Sequence, residues 1–275
     1  MDAKPFVKWA GGKTQLLPVI RSMMPSSFRC YYEPFVGGGA LFFDLKPVPA
    51  VINDANPALV NAYRWVRDDP YAVNAELRRL DAEIAQDGEP FFYVARNLFN
   101  KKKLAGELDA ELAALFVFLS KHSFNGIFRE NRKGEYNAPT NHFTGASTPE
   151  EILLADSAVL KNTEILCGDF EDAVRNAQKD NFVFFDSPYA PLKATSFDKY
   201  TASGFPDEDH RRLADVFRKL DKRGCFLMLT NHDTPFVRSL YDGFHIRTVS
   251  ARRSINCDGG NRKGTEIVVT NYRNG

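Results

Sequence analysis

A chain of 275 residues, 44% hydrophobic and 26% charged, holds enough apolar material for one large core and a smaller satellite, which excludes a disordered polymer. Lys and Arg number 36 against 35 Asp and Glu, a formal charge of +1, so no global field selects a nucleic-acid or membrane partner. No apolar run approaches the roughly 18 residues of a membrane span and the opening MDAKPFVKWAGGK lacks a signal-peptide pattern, so a cytoplasmic protein without membrane contact is expected.

Local charge is less even. Residues 1–29 carry five Lys or Arg against one Asp, residues 245–275 carry six against two, and residues 66–90 reverse the balance with three basic and seven acidic. Such ends suit a cleft for a polyanion, although charged stretches are commonly solvated faces. Cys30, Cys167, Cys225 and Cys257 form no C-x-x-C pair and no zinc spacing, and the first three sit in apolar runs. Buried free thiols are expected, with no disulfide framework and no metal.

In chain order, CYYE at 30–33 reads as a strand, PFVGGGA as a glycine-rich turn and ALFFDL as a helix; VIN at 51–53 is a second strand ending at Asp54. That β–turn–α–β order is the signature of a parallel sheet. From about 57 to 155 the pattern becomes helical: Leu59, Val60, Tyr63 and Val66 share one face, Leu77, Leu80 and Ile84 another, and 110–122 (AELAALFVFLSKH) is apolar all round. Within it, GIFRENRKGEYNAP at 126–139 reads as a hairpin or projecting loop around an N-R-K-G turn. Strand and helix then alternate again: strands at 163–167, 181–185, 225–229, 244–249 and 265–271, with an amphipathic helix at 205–220. The simplest architecture is an α/β domain built from residues 1–56 and 156–275, with a mostly helical insert at 57–155.

Three motifs carry chemistry. A-G-G-K-T at 10–14 is not a P-loop, because the first glycine of that motif would fall on Val7. It leaves Ala10, Gly11 and Gly12 where backbone approaches an anionic ligand beside Lys13, or a plain turn. E-P-F-V-G-G-G at 33–39 is not a dinucleotide fingerprint, since the third glycine position is Phe42. With Asp54 at the next strand end it suits a small cofactor with a ribose diol, or a glycine turn and a helix cap. Asp186-Ser187-Pro188-Tyr189 follows the apolar strand NFVFF. A carboxylate and a main-chain carbonyl that accept both N–H bonds of an exocyclic amine, beside an aromatic face, direct the amine lone pair at an electrophile. A strand-closing Asp–Pro turn is the other reading.

Taken together, K-W-A-G-G-K at 8–13, E-P-F-V-G-G-G at 33–39, N-D at 53–54, D-S-P-Y at 186–189, T-N-H-D at 230–233 and R-R-S-I-N at 252–256 resemble the Dam-type DNA adenine-N6 methyltransferases over nearly the whole chain. The resemblance implies a Rossmann-like class I methyltransferase sheet, mostly parallel with an antiparallel edge strand, plus the insert as the DNA-reading part. It implies S-adenosylmethionine held by Trp9, Ala10, Gly11, Gly12, Lys13, Phe35, Gly37, Gly39 and Asp54, with Asp169 and Phe170 flanking its adenine and Asp186 bridging cofactor and target base; S-adenosylhomocysteine is the product. It assigns Lys8 to a first guanine, Arg129 to a second, Ile127 and Pro139 to thymine methyls, Phe124 to a wedge in the base stack, and Asn125 and Asn137 to DNA. Phe124 stands where the family usually has tyrosine, and Ser187 where it usually has proline. The expected target is GATC in double-stranded DNA, with the adenine flipped out, in a bacterial or phage cytoplasm at the nucleoid. A cytosine-N4 or RNA enzyme of the same fold, or a catalytically weak DNA-binding homologue, stays open. So does a cognate restriction endonuclease; a monomer is favoured.

Overall fold

Short apolar runs closed by Gly, Pro or Asp make the strands, and longer amphipathic stretches make the helices. In this computed structural model, which describes residues 2–191, 204–252 and 263–273, the chain runs α1 (Leu17–Ser22), β1 (Tyr31–Glu33), α2 (Ala40–Leu45) and β2 (Ala50–Asp54). Four helices follow: α3 (Pro57–Asp68), α4 (Pro70–Asp87), α5 (Glu89–Ala105) and α6 (Ala110–His122). After α7 (Glu150–Leu160) come β3 (Thr163–Cys167), α8 (Phe170–Ala173), β4 (Phe182–Phe185) and α9 (Asp207–Lys222). The chain closes with β5 (Phe226–His232), α10 (Pro235–Leu240), β6 (His245–Arg252) and β7 (Lys263–Thr270).

The strands form a seven-stranded sheet in the order β3-β2-β1-β4-β5-β7-β6. β1 pairs parallel with β2 and β4, and β4 parallel with β5. β7 is antiparallel to both neighbours and lies between β5 and β6. The expected Rossmann-like, mostly parallel α/β sheet is present. The chain passes from β1 to one side through β2 and to the other through β4 and β5, so the strand order reverses beside β1. Ligands of open α/β sheets sit at the carboxyl ends of the strands flanking such a reversal.

Two compact units divide the chain: Met1–Gly12, Gly37–Lys46 and Asp54–Gly168 form one, and Lys13–Val36, Pro47–Asn53 and Asp169–Gly275 the other. In the first, α6 is the central helix. Every side chain from Leu112 to Leu119 is buried, as an all-round apolar sequence requires. The predicted faces Leu59, Val60, Tyr63, Val66 and Leu77, Leu80, Ile84 are all buried. Asn56, Asp69 and Asp109 cap α3, α4 and α6 through their side-chain oxygens, which satisfies otherwise orphaned N–H groups. In the second, Phe182, Val183, Phe184 and Phe185 are wholly buried, as a strand with parallel neighbours on each side should be.

The structure decides one alternative of the sequence reading, the projecting loop at 126–139, and departs from that reading in two places. The run 126–139 reverses through an isolated bridge, Glu130 to Tyr136, without named strands. Asn131 takes over the turn: its Oδ1 accepts from the backbone N–H of Lys133 and Glu135 at 2.9 and 3.1 Å. Of the three cysteines placed in buried runs, Cys225 is buried, Cys30 half-buried and Cys167 exposed, because Cys167 is the last residue of β3, where the strand leaves the sheet. Helices α1 and α10 were not anticipated; each has six residues, too short for the 3.6 periodicity to register. Cys257 and residues 253–256 of the R-R-S-I-N run lie outside the described residues.

Candidate active site

β4 delivers Asp186 at its carboxyl end, half-buried, into the second unit. The carboxylate is held from two sides. Lys13, placed by a short 3-10 turn at Lys13–Gln15, pairs with its Oδ1 at 2.8 Å. The Thr230 hydroxyl at the end of β5 donates to the same oxygen at 2.7 Å. The Lys13 ammonium also lies 4.6 Å from the centre of the Tyr189 ring, so one cation addresses both ends of the D-S-P-Y run. Tyr189 donates to Glu266 on β7 at 2.7 Å, and its ring meets His232 edge-on with centroids 4.8 Å apart. Burial, then the Asp186 and Glu266 carboxylates, hold the Tyr189 phenol well above its usual range, so it stays neutral.

The turn after Tyr189 is anchored to β5. Asn231 accepts from the Ala190 N–H at 2.9 Å, and His232 Nδ1 lies 2.8 Å from the Ala190 carbonyl. The T-N-H-D motif at 230–233 therefore buttresses the D-S-P-Y turn. Pro188 is half-buried; Ser187 is 2% exposed and its hydroxyl finds no hydrogen-bond partner among the described residues. An unsatisfied buried hydroxyl costs about 1–3 kcal/mol. Ser187→Ala should therefore leave the thermal midpoint unchanged or raised, with turnover within about twofold of wild type. A tenfold loss of turnover would mean that the hydroxyl binds substrate.

The same unit holds an aromatic group. Phe35 and Phe170 lie 5.2 Å apart at 30°, and Phe205 meets both, at 5.9 and 6.0 Å. Asp169 caps α8 through the Glu171 N–H at 2.9 Å and receives both arms of Arg212 at 2.7 and 2.8 Å. Arg212 also stacks 4.2 Å over the Phe170 ring. That fork holds the Asp169 carboxyl below its usual range. Two rings 5.2 Å apart leave no slot for a base between them, so their shared edge is the surface they offer.

In the first unit, Gly12 closes a tight turn by donating to the Trp9 carbonyl at 3.3 Å, with Gly11 at φ 82° and Ala10 half-buried beside it. Trp9 stacks on Phe116 and Phe128. A Cβ on Gly37 would stand 2.7 Å from the Trp9 ring, and one on Gly39, at φ +68°, 2.7 Å from the Tyr63 hydroxyl. The immediate reason for these glycines is thus protein packing. Asp54 accepts from Gly37 N–H at 3.1 Å and from Asn56 N–H at 2.9 Å. Burial raises its carboxyl above the usual range, opposed by the backbone donors of Asn56, Gly37 and Ala55.

The predicted DNA-reading residues sit together in this unit. Phe124 is 50% exposed, Asn125 follows at φ 55°, Ile127 is half-buried and Pro139, exposed, accepts from Phe124 N–H at 2.8 Å. Arg129 gives Nε to Asn137 Oδ1 at 2.8 Å and Nη2 to the Asn137 carbonyl at 3.0 Å. The loop is anchored to α5, where Asn100 bonds both the N–H and the carbonyl of Tyr136, and Lys103 pairs with Glu130 at 2.6 Å. A Cβ on Gly126 would lie 2.7 Å from Lys8 Cγ, so Lys8 rests on this loop.

Sequence reasoning had no role for Thr230, Glu266, Tyr63 or Arg212. Thr230 lay in a motif already noticed; Glu266, inside a strand, gave no signal.

Among known proteins, the profile of the D12 class N6 adenine-specific DNA methyltransferases matches residues 9–255. The type II methyltransferase M.MjaIII of Methanocaldococcus jannaschii is 42% identical over 292 residues, covering 99% of this chain and 100% of the relative. The type II methyltransferase M1.LlaDCHI of Lactococcus lactis subsp. cremoris is 39% identical over 279 residues, covering 100% and 97%. The DNA adenine methylase of Escherichia coli is 32% identical over 276 residues, covering 99% and 96%. With its strand-end acid, its fixed D-S-P-Y turn and a family match over most of its length, the chain belongs to the D12 class of N6 adenine-specific DNA methyltransferases and is a DNA adenine-N6 methyltransferase.

Proposed function

We propose that this enzyme methylates the adenine of GATC in double-stranded DNA after the base has left the helix, with residues 57–155 as the reading domain. The observation that supports this reading most is Asp186, fixed by Lys13 and Thr230 at the end of β4 beside the strand-order reversal. Methyltransferase membership implies S-adenosylmethionine, which supplies an electrophilic sulfonium methyl when bound. The residues present fit it. Asp54 is a half-buried acceptor locked by backbone donors, as a ribose diol requires, and two of its roughly four acceptor sites are taken by the Gly37 and Asn56 N–H groups. Phe35 and Phe170, with Asp169, offer aromatic surface and an acceptor for an adenine ring.

For the target base, the free acceptor capacity of Asp186 and the Ser187 carbonyl take the two hydrogens of the adenine amine. Held so, the nitrogen lone pair is drawn out of conjugation toward the methyl carbon. As N6 gains positive charge the hydrogen bond to Asp186 strengthens, which lowers the barrier where charge develops. No covalent bond to the protein is needed, because an oriented amine is a competent nucleophile. The Tyr189 ring offers the stacking face that offsets a few kcal/mol of base extrusion.

Plasmid from a host lacking GATC methylation, but expressing this chain, tests the reading. It should resist an endonuclease blocked by N6-methyladenine in GATC and be cut by one that requires it. N6-methyladenine at another sequence would refute the GATC target; N4-methylcytosine, or no methylated nucleoside by mass spectrometry, would refute the chemistry.

A further inference from the structure

β7 runs against both of its neighbours, so its first residues lie beside the carboxyl end of β5. The register sets Glu266 of β7 opposite His232 of β5. Directly opposed residues of an antiparallel pair share one face of the sheet, and this pair closes on a single side chain. The His232 ring meets Tyr189 edge-on, with centroids 4.8 Å apart at 77°. Glu266 Oε2 accepts from the Tyr189 hydroxyl at 2.7 Å.

The two ends of Tyr189 are thus held by different strands. Its backbone neighbour Ala190 is bound at both polar groups by β5: the N–H donates to Asn231 at 2.9 Å and the carbonyl lies 2.8 Å from His232 Nδ1. Backbone anchors alone leave the ring room to tilt, because the second side-chain torsion of a tyrosine has a broad minimum. Glu266 takes that room away at the far end. The phenol is a donor throughout, since burial and the neighbouring carboxylates keep it neutral. Packing does not call for an acid at this position: Ile267, Val268 and Val269, which follow, are apolar and fully buried, whereas Glu266 is half-buried.

We propose that Glu266 is a positioning residue for methyl transfer. By accepting the Tyr189 hydroxyl it sets the plane of the ring on which the extruded adenine stacks, and so the aim of the amine held by Asp186 and the Ser187 carbonyl. This rests on the reading of Tyr189 as the stacking face. The plane matters because a displaced base turns its lone pair off the line of attack, and a misplacement of about 1 Å costs on the order of 100-fold in rate. A ring that keeps its stem and loses its anchor moves less than that, so a loss of about tenfold is expected.

Single-turnover methyl transfer to a duplex that wild type methylates, at saturating S-adenosylmethionine, tests the assignment. Glu266→Ala should lower the rate constant about tenfold. Duplex affinity should change by no more than about twofold, because phosphate contacts supply most of it. Glu266→Gln keeps an acceptor oxygen and should recover most of the rate. Tyr189→Phe removes the hydroxyl and leaves the ring, so it breaks the same bond from the other side and serves even if Glu266→Ala unfolds. Tyr189→Phe combined with Glu266→Ala should be no slower than either change alone, since all three lack one bond. Losses that multiply, or a Glu266→Ala rate equal to wild type, would overturn the proposal. So would a fall in thermal midpoint with transfer unchanged, which would make the bond a fastening of β7 only. Tyr189→Ala separates the two readings. If it alone among these variants lost transfer, Tyr189 would remain the stacking face and Glu266 would not aim it; if it transferred like wild type, the stacking reading itself would fall.

Discussion

Asp186→Asn should lower methyl transfer about 1,000-fold or more while the protein stays folded, measured by tritiated-methyl incorporation beside thermal denaturation. The amide is isosteric and can still accept from Thr230 and from the Lys13 ammonium, so the local shape survives although the ion pair with Lys13 becomes a neutral hydrogen bond. Beyond the charge facing Lys13, it loses the charge that, in the proposed mechanism, strengthens the hydrogen bond to N6 as the amine turns cationic. Asp186→Ala is a poorer probe. Lys13 and Asp186 have side chains only 9% and 18% exposed, and stripping one partner from a buried pair costs about 3–5 kcal/mol. A double change, Lys13→Met with Asp186→Leu, should recover much of that stability and none of the activity. Turnover of Asp186→Asn within tenfold of wild type would remove the acid from the chemistry.

Arg129→Ala should weaken discrimination at one guanine of the site by about 1–3 kcal/mol, leaving binding to unrelated duplex nearly unchanged. Asn137 is why the effect should be this large. By accepting from Nε and Nη2 of Arg129, it fixes the guanidinium plane before DNA arrives. A pre-set fork loses less conformational freedom on binding than a free one. Asn137→Ala should therefore give the same relaxation with a smaller magnitude, and Arg129→Lys should not rescue, since an ammonium lacks the paired donors. Competition binding with single-base mismatches measures all three. Equal losses on matched and mismatched duplexes would show that Arg129 contacts only phosphate.

The strand end at Asp186 was legible from local pattern alone. An apolar tetrapeptide buried on both faces must stop where a charge appears, so NFVFF followed by Asp186 reads as strand and exit without any tertiary knowledge. The same holds for Asp54 at the end of β2 and for α6, whose apolar circumference could only belong to a central helix. These are short-range properties, set by the alternation of burial along one segment.

What local pattern could not carry was who meets whom. Trp9 packs on the glycine turn, so Gly37 and Gly39 answer first to protein rings, although sequence spacing suggested a ligand. Thr230 reaches Asp186 across 44 residues and Glu266 reaches Tyr189 across 77, because β5 pairs beside β4 and β7 enters between β5 and β6. Strand order is chosen by the packing of whole faces, and no single segment encodes it. The residue types of the D-S-P-Y turn were thus written in the chain, while the lysine, threonine and glutamate that hold it in place were brought there by the tertiary fold.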